Sequence, residues 1–162
     1  MTRRNRRRVD DAGSITPLVI GYTAIAAVLI VVGIDASKVF LARRALAAAA
    51  DSAALAAAQG VDRGTLYAGG VRCGMRLPLD GQRAGQLADG SVDDDRHDLR
   101  QTFASLATPR TEVRGGTVTV RLAGSVALPF GGVLGRLGIG DRDGSVGVTE
   151  TAHADSPVAG AC

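Results

Sequence analysis

The chain has 162 residues, 46% of them hydrophobic, 3% aromatic, and a formal charge of +3; this length holds one small domain plus an anchor and excludes several independently folded units. The basic excess does not describe a nucleic-acid-binding patch, because residues 1–11 hold Arg3, Arg4, Arg6, Arg7 and Arg8 against Asp10 and Asp11, and the rest of the chain sums to zero. Apart from Tyr22, Phe40, Tyr67, Phe103 and Phe130 there is no aromatic side chain, so little large apolar surface can be buried and such a domain calls for reinforcement.

Residues 15–34, ITPLVIGYTAIAAVLIVVGI, carry no charge. At about 1.5 Å per helical residue the run reaches roughly 30 Å, the thickness of a bilayer's hydrocarbon core. The sequence therefore predicts one transmembrane helix over 15–34. The arginines ahead of it make residues 1–14 a cytoplasmic tail by the positive-inside bias, and everything after about residue 35 faces outside. A cleaved secretory signal has a shorter apolar region, about 7–15 residues, followed closely by a small-x-small site. Here the first such site, Ala45-Leu46-Ala47, comes only after Arg43-Arg44. The paired arginines alone suggest a twin-arginine signal, and Val9-Asp10-Asp11 continues it poorly. Pro17 stands at the start of the run, where its missing N–H disturbs a helix little.

No turn signal follows until Gly60. Eleven of the seventeen residues from Ala42 to Ala58 are alanine, with neither Gly nor Pro among them, so strong helix formers predict one rod from about Pro17 to Gln59, roughly 65 Å long. Residues 35–59 then form an Ala-rich stalk beyond the lipid, with Gly60 suited to its C-terminal cap. Val39, Leu46 and Ala53 fall seven apart, a stripe opposite Arg43 and Arg44. Two readings stand: a surface for packing against neighbouring helices, or an Ala-rich spacer.

The stretch GSITPLVIGYTAIAAVLIVVGIDASKVFLARRALAAAADSAALAAAQ resembles the N-terminal region of the TadE/TadG group of Flp-type, tight-adherence (Tad) pilus-assembly proteins. Its most specific part is Gly33-Ile34-Asp35, then Leu41-Ala42-Arg43-Arg44, then the alanine run with Asp51-Ser52. In that group an apolar span passes through an acidic residue into an arginine pair and an alanine-rich helix. The resemblance covers about the first third of the chain. It implies a membrane-anchored, pilin-like or accessory component of a pilus-assembly or secretion apparatus, with other pilin-like proteins as partners of the helix. It also implies a candidate prepilin-type processing junction at Gly13-Ser14. Related pseudopilins carry Glu five residues into the mature chain, and that position here is Leu18, which favours the anchored TadG-like branch.

Residues 60–94 are rich in Gly, Asp and Arg and read mostly as loop. Asp94 or Asp95 starts a short helix in which Leu99, Phe103 and Leu106 recur on one face. Thr111–Val113 and Thr117–Leu122 read as strands around Gly115-Gly116, a pair suited to a tight hairpin, with Val118, Val120 and Leu122 facing a core. Ser125–Phe130 and Ser145–Ala154 are further strands, joined by the glycine-rich 131–144. The fold class is α+β: a long N-terminal helix, then a small antiparallel sheet domain with a short helix over 60–162.

Cys73 and Cys162, the two cysteines of the chain, both lie outside on this topology. An oxidising compartment favours a disulfide closing about 90 residues, a loop whose closure stabilises by roughly 4–5 kcal/mol in the chain-entropy model; the alternatives are two unpaired thiols or Cys162 paired with a partner. Asp93-Asp94-Asp95-Arg96-His97-Asp98 lacks calcium-loop spacing and reads as a solvated helix start, and His153 has no evident partner. No HExxH, GxSxG or phosphate-binding loop is present, so no catalytic, cofactor or metal residue is assigned and the chain reads as a non-enzyme without cofactors. The structural reading is an anchored pilus-assembly component in the cytoplasmic membrane; the alternative is an anchored envelope protein that captures a ligand or surface with its sheet domain, independent of pili.

Overall fold

The computed structural model describes residues 15–69, 72–136, 144–158 and 160. They fall into two compact units, one ending at Ile34 and one running from Asp35 onward. The elements in chain order are helix α1 (Ile15–Ala58), α2 (Arg63–Gly69), α3 (Gly81–Asp94), α4 (Arg96–Thr102), strands β1 (Ser105–Leu106), β2 (Arg110–Arg114), β3 (Thr117–Ala127), helix α5 (Gly131–Arg136) and β4 (Ser145–Asp155). The fold is α+β, as the sequence predicts.

The single long helix is present within two residues of its expected ends. Pro17 lies in its first turn, where the N–H groups have no intrahelical acceptor, so the proline interrupts no bond. Residues 15–34 are almost entirely exposed, and Ala26 and Val31 are intermediate.

From residue 42 onward one face of α1 is buried: Ala42, Leu46, Ala49, Ala50, Ala53, Ala54, Ala57 and Ala58 all join the core of the second unit. The second unit begins at 34/35, where the apolar run ends, and residues of α1 from Ala42 to Ala58 belong to its buried core. Gly60 differs from expectation. Its φ is not positive, and the helix ends in a tightened turn with Gly60 N–H donating to the Ala57 carbonyl at 2.9 Å. Close approach explains the glycine instead, since a Cβ there would stand 2.9 Å from the Ala84 nitrogen.

That contact comes from α3, in the stretch read from sequence as loop. Asp80 caps it, its carboxylate accepting from the Gln82 and Arg83 N–H groups. Ala84, Ala88 and Val92, four apart, form its buried stripe. Just before it, α2 is capped by Asp62, which accepts from the N–H and hydroxyl of Thr65. The Thr65 side-chain hydrogen bond, foremost, holds the Asp62 carboxyl below its usual value. A depressed carboxylate pKa gives capping that is intact above the unfolded value and lost as pH falls through the folded one.

In the sheet β3 is central. It pairs antiparallel with β4 along its whole length, and on its other edge with β2 and then β1. The hairpin between β2 and β3 turns on Gly115 and Gly116, at φ 58° and 85°, the two positive values a two-residue turn of this twist needs. Val118, Val120 and Leu122 are fully buried, with Val126, Val148, Ala152 and Ala154 on the same core. Ser125–Ala127 continue β3 rather than starting a new strand, and β4 matches its expected span to one residue. Leu99 and Phe103 are buried as expected, but α4 ends at Thr102, Asp95 makes no side-chain cap bond, and Leu106 belongs to β1. Phe103 lies over Gly124, where a Cβ would meet its ring at 2.8 Å.

The two kinds of glycine respond oppositely to alanine. Gly60→Ala should destabilise the domain by about 1–3 kcal/mol through overpacking against the α3 backbone. Gly90→Ala, exposed in α3 with nothing within 4 Å, should stabilise by about 0.5–1 kcal/mol. Thermal melts of the full chain in detergent measure both, and shifts of the same sign would remove the close contact as the reason for Gly60.

Candidate functional site

The region with a functional signal is the N-terminal helix. Along residues 15–34 the large apolar side chains stand open: Leu18 is 75% exposed, Ile25 61% and Leu29 67%. This part of α1 is long and apolar enough to cross a membrane.

Past residue 35 the helix has two faces. Residues 41, 44, 48, 51 and 55 recur at alternating steps of three and four and so share one face, and Leu41, Arg44, Ala48, Asp51 and Leu55 are exposed there. Phe40 lies beside them at 66% exposure, with Leu41 at 61% and Leu55 at 64%. The stripe chosen from sequence falls on the other face. Leu46 and Ala53 are fully buried and Val39 is half-buried. Leu46 and Ala53 belong to the buried core of the second unit, whereas Phe40, Leu41 and Leu55 stay exposed. Spacing alone showed a stripe without showing that this chain's own domain covers it.

Asp35 begins the second unit and is only 4% exposed. One carboxylate oxygen, Oδ1, accepts from the Phe130 N–H at 3.4 Å, and Oδ2 is buried without a hydrogen-bond partner. Phe130 sits in the turn that leads from β3 to α5. The acidic residue closing the apolar run is therefore tied to the sheet domain rather than presented to solvent.

Other sequence-predicted positions fall as follows. Gly13, Ser14 and Cys162 lie outside the described residues. Cys73 is disulfide-bonded. His153 does have a partner: its Nδ1 is 2.9 Å from the Thr119 hydroxyl across the strands. The Asp93–Asp98 segment joins α3 to α4, with Asp93 paired to Arg96. Among the described residues no group of His, Cys, Asp or Glu is arranged to hold a metal ion. Sequence reasoning missed Arg76, whose guanidinium grips Asp155 through two bonds of 2.8 Å and donates to Thr117 at 3.1 Å. Nothing local to Arg76 signals a partner 79 positions away.

Residues 13–60 match the family model Tad, described as Putative Flp pilus-assembly TadE/G-like. The match covers the helix and its closing turn, so the N-terminal resemblance holds and connects this region with pilus assembly. No curated protein and no solved structure matches the chain.

The role of Asp35 is open to a simple comparison. Asp35→Asn keeps an acceptor for the Phe130 N–H and removes a buried charge, so the thermal midpoint should stay level or rise. Asp35→Leu leaves that donor unpaired and should destabilise by about 1 kcal/mol. Equal losses in the two would show that the charge, not the hydrogen bond, matters.

Proposed function

We propose that the chain is a membrane-anchored, non-catalytic component of a Tad/Flp-type pilus-assembly or secretion apparatus, TadG-like or minor-pilin-like. The observation that carries the reading is the coincidence of the family match over residues 13–60 with a helix whose first half is apolar and exposed. Exposed apolar surface of that length is unfavourable in water and favourable in lipid. The five arginines ahead of the span set the N-terminus in the cytoplasm and the sheet domain outside.

In this role the helix has two tasks. Its first half holds the chain in the cytoplasmic membrane. Beyond residue 35, the outward face with Phe40, Leu41 and Leu55 is the surface that meets pilin-like helices of other pilus-assembly proteins. Alanines between those side chains allow close approach. On this sidedness both cysteines lie in an oxidising compartment, and Cys162 is the proposed partner of Cys73, holding the C-terminal end to the segment that Arg76 also clips.

Two measurements test the reading. A photo-crosslinking residue at Leu55 in native membranes should join the chain to an identified pilus-assembly protein, and the same residue at Leu46 should not; normal piliation in a deletion strain would overturn the role. Intact mass should rise by the two hydrogens added on reduction, and Cys73→Ser should abolish that shift and lower the thermal midpoint, through a loss of roughly 2–5 kcal/mol of stability. Two alkylatable thiols in unreduced envelope material would sink the pairing.

A further inference from the structure

The register of the sheet brings together charges that the sequence scatters. Arg110 of β2, Arg121 of β3 and Thr151 of β4 are successive Cα partners, forming one row across three strands. Partners in a row share a face. Val120 and Leu122, on either side of Arg121, are fully buried, so this row faces away from the core. Both arginines are exposed.

Like charges directly opposite on neighbouring strands destabilise a sheet. Among the described residues, the acids on this face are committed elsewhere. Glu112, one row along, pairs with Arg114 at 3.0 Å. Asp155, two rows along, is held by Arg76 at 2.8 Å and by the Thr117 hydroxyl. In the intervening row Thr119 and His153 bond to each other. Among the described residues neither Arg110 nor Arg121 takes part in an ion pair.

We propose that Arg110 and Arg121, with the Thr151 hydroxyl beside them, form a binding site for an oxyanion of the phosphate class. Two planar guanidinium groups at neighbouring row positions offer several N–H donors in fixed forks, which suit a tetrahedral oxyanion. A bound anion also removes the repulsion between the two cations, so the free sheet is under a strain that the ligand relieves. Because the row is open to solvent, binding weakens as ionic strength rises. The site is independent of the helix and of the pilus reading.

The test uses the full chain in an uncharged detergent at low ionic strength, titrated with orthophosphate and, separately, with a short poly(glycerol phosphate) oligomer. Calorimetry should show Arg110→Gln and Arg121→Gln each weakening affinity roughly tenfold, with Arg83→Gln on α3 unchanged. Without ligand both sheet variants should melt above the wild type, and orthophosphate should raise the midpoint of the wild type only. Tighter binding of the oligomer would assign a polymer-borne phosphodiester, and equal binding a free phosphate. An equal rise in all variants is the general stabilisation that excluded anions give, and would overturn the proposal, as would no binding of either probe.

Discussion

Everything in the second unit depends on how closely the alanine face of α1 can lie against its neighbours. A buried alanine removes little apolar surface from water, so a helix of alanines stabilises a domain only through many contacts at short range. Gly60 shows the limit of that approach, since the α3 backbone occupies the space where a Cβ would be. Bulk comes mainly from the sheet, where Val118, Val120, Leu122 and Val126 share one core cluster with Leu46, the largest buried side chain of α1. Such a thin core leaves room for reinforcement, and the Arg76 clip on Asp155 and the disulfide at Cys73 both act on the segment that precedes α3. The clip alone is modest, because both side chains are about half exposed and solvent screens the pair.

On the proposed anchoring the same helix answers to two solvents, and its sequence divides accordingly. Residues 15–34 use Ile, Val and Leu on all sides, a composition that water penalises and lipid accepts. From residue 42 the large apolar residues give way to alanine, and the helix acquires an inside and an outside. Asp35 stands at that change. A carboxylate in lipid is unfavourable, and this one is shielded by its own domain through the Phe130 turn. Phe40, Leu41 and Leu55 then run against the trend as exposed apolar residues outside the span. In the proposed role this outward face is the one that serves assembly, since Leu46 and Ala53 are already buried in the chain's own core.

What could be read from the sequence follows from the range of the forces involved. The long helix and the Gly115-Gly116 hairpin were legible because composition and turn stereochemistry act over a few residues. Helix α3 was not, because Gly81, Gly85 and Gly90 lower its propensity and its buried stripe is made of Ala84 and Ala88, which look neither apolar nor periodic beside Val92. Its cap, Asp80 ahead of Gln82 and Arg83, was the signal available. That the Leu46 and Ala53 side of α1 is buried in the chain's own core was hidden for another reason. In a run of alanines nearly every face looks alike, and only the partners decide which is buried. The bonds of His153 and Arg76 depend on strand register and on contacts remote in sequence, which no local pattern encodes.

Charge shows the same dependence on register with more consequence for function. Residues 12–162 sum to zero, which correctly locates the basic excess in the N-terminal tail but says nothing about how the remaining charges meet. On the outer face of the sheet, Glu112 and Asp155 are drawn to Arg114 and Arg76, because those guanidinium groups stand within reach and the pairs close at 3.0 Å and 2.8 Å. Arg110 and Arg121 are then set side by side with the described acids of this face, Glu112 and Asp155, already engaged. A neutral chain can thus present a local cationic row. It does so here because two ion pairs neutralise other positions, so charge on this surface must be counted by rows of the sheet rather than by composition.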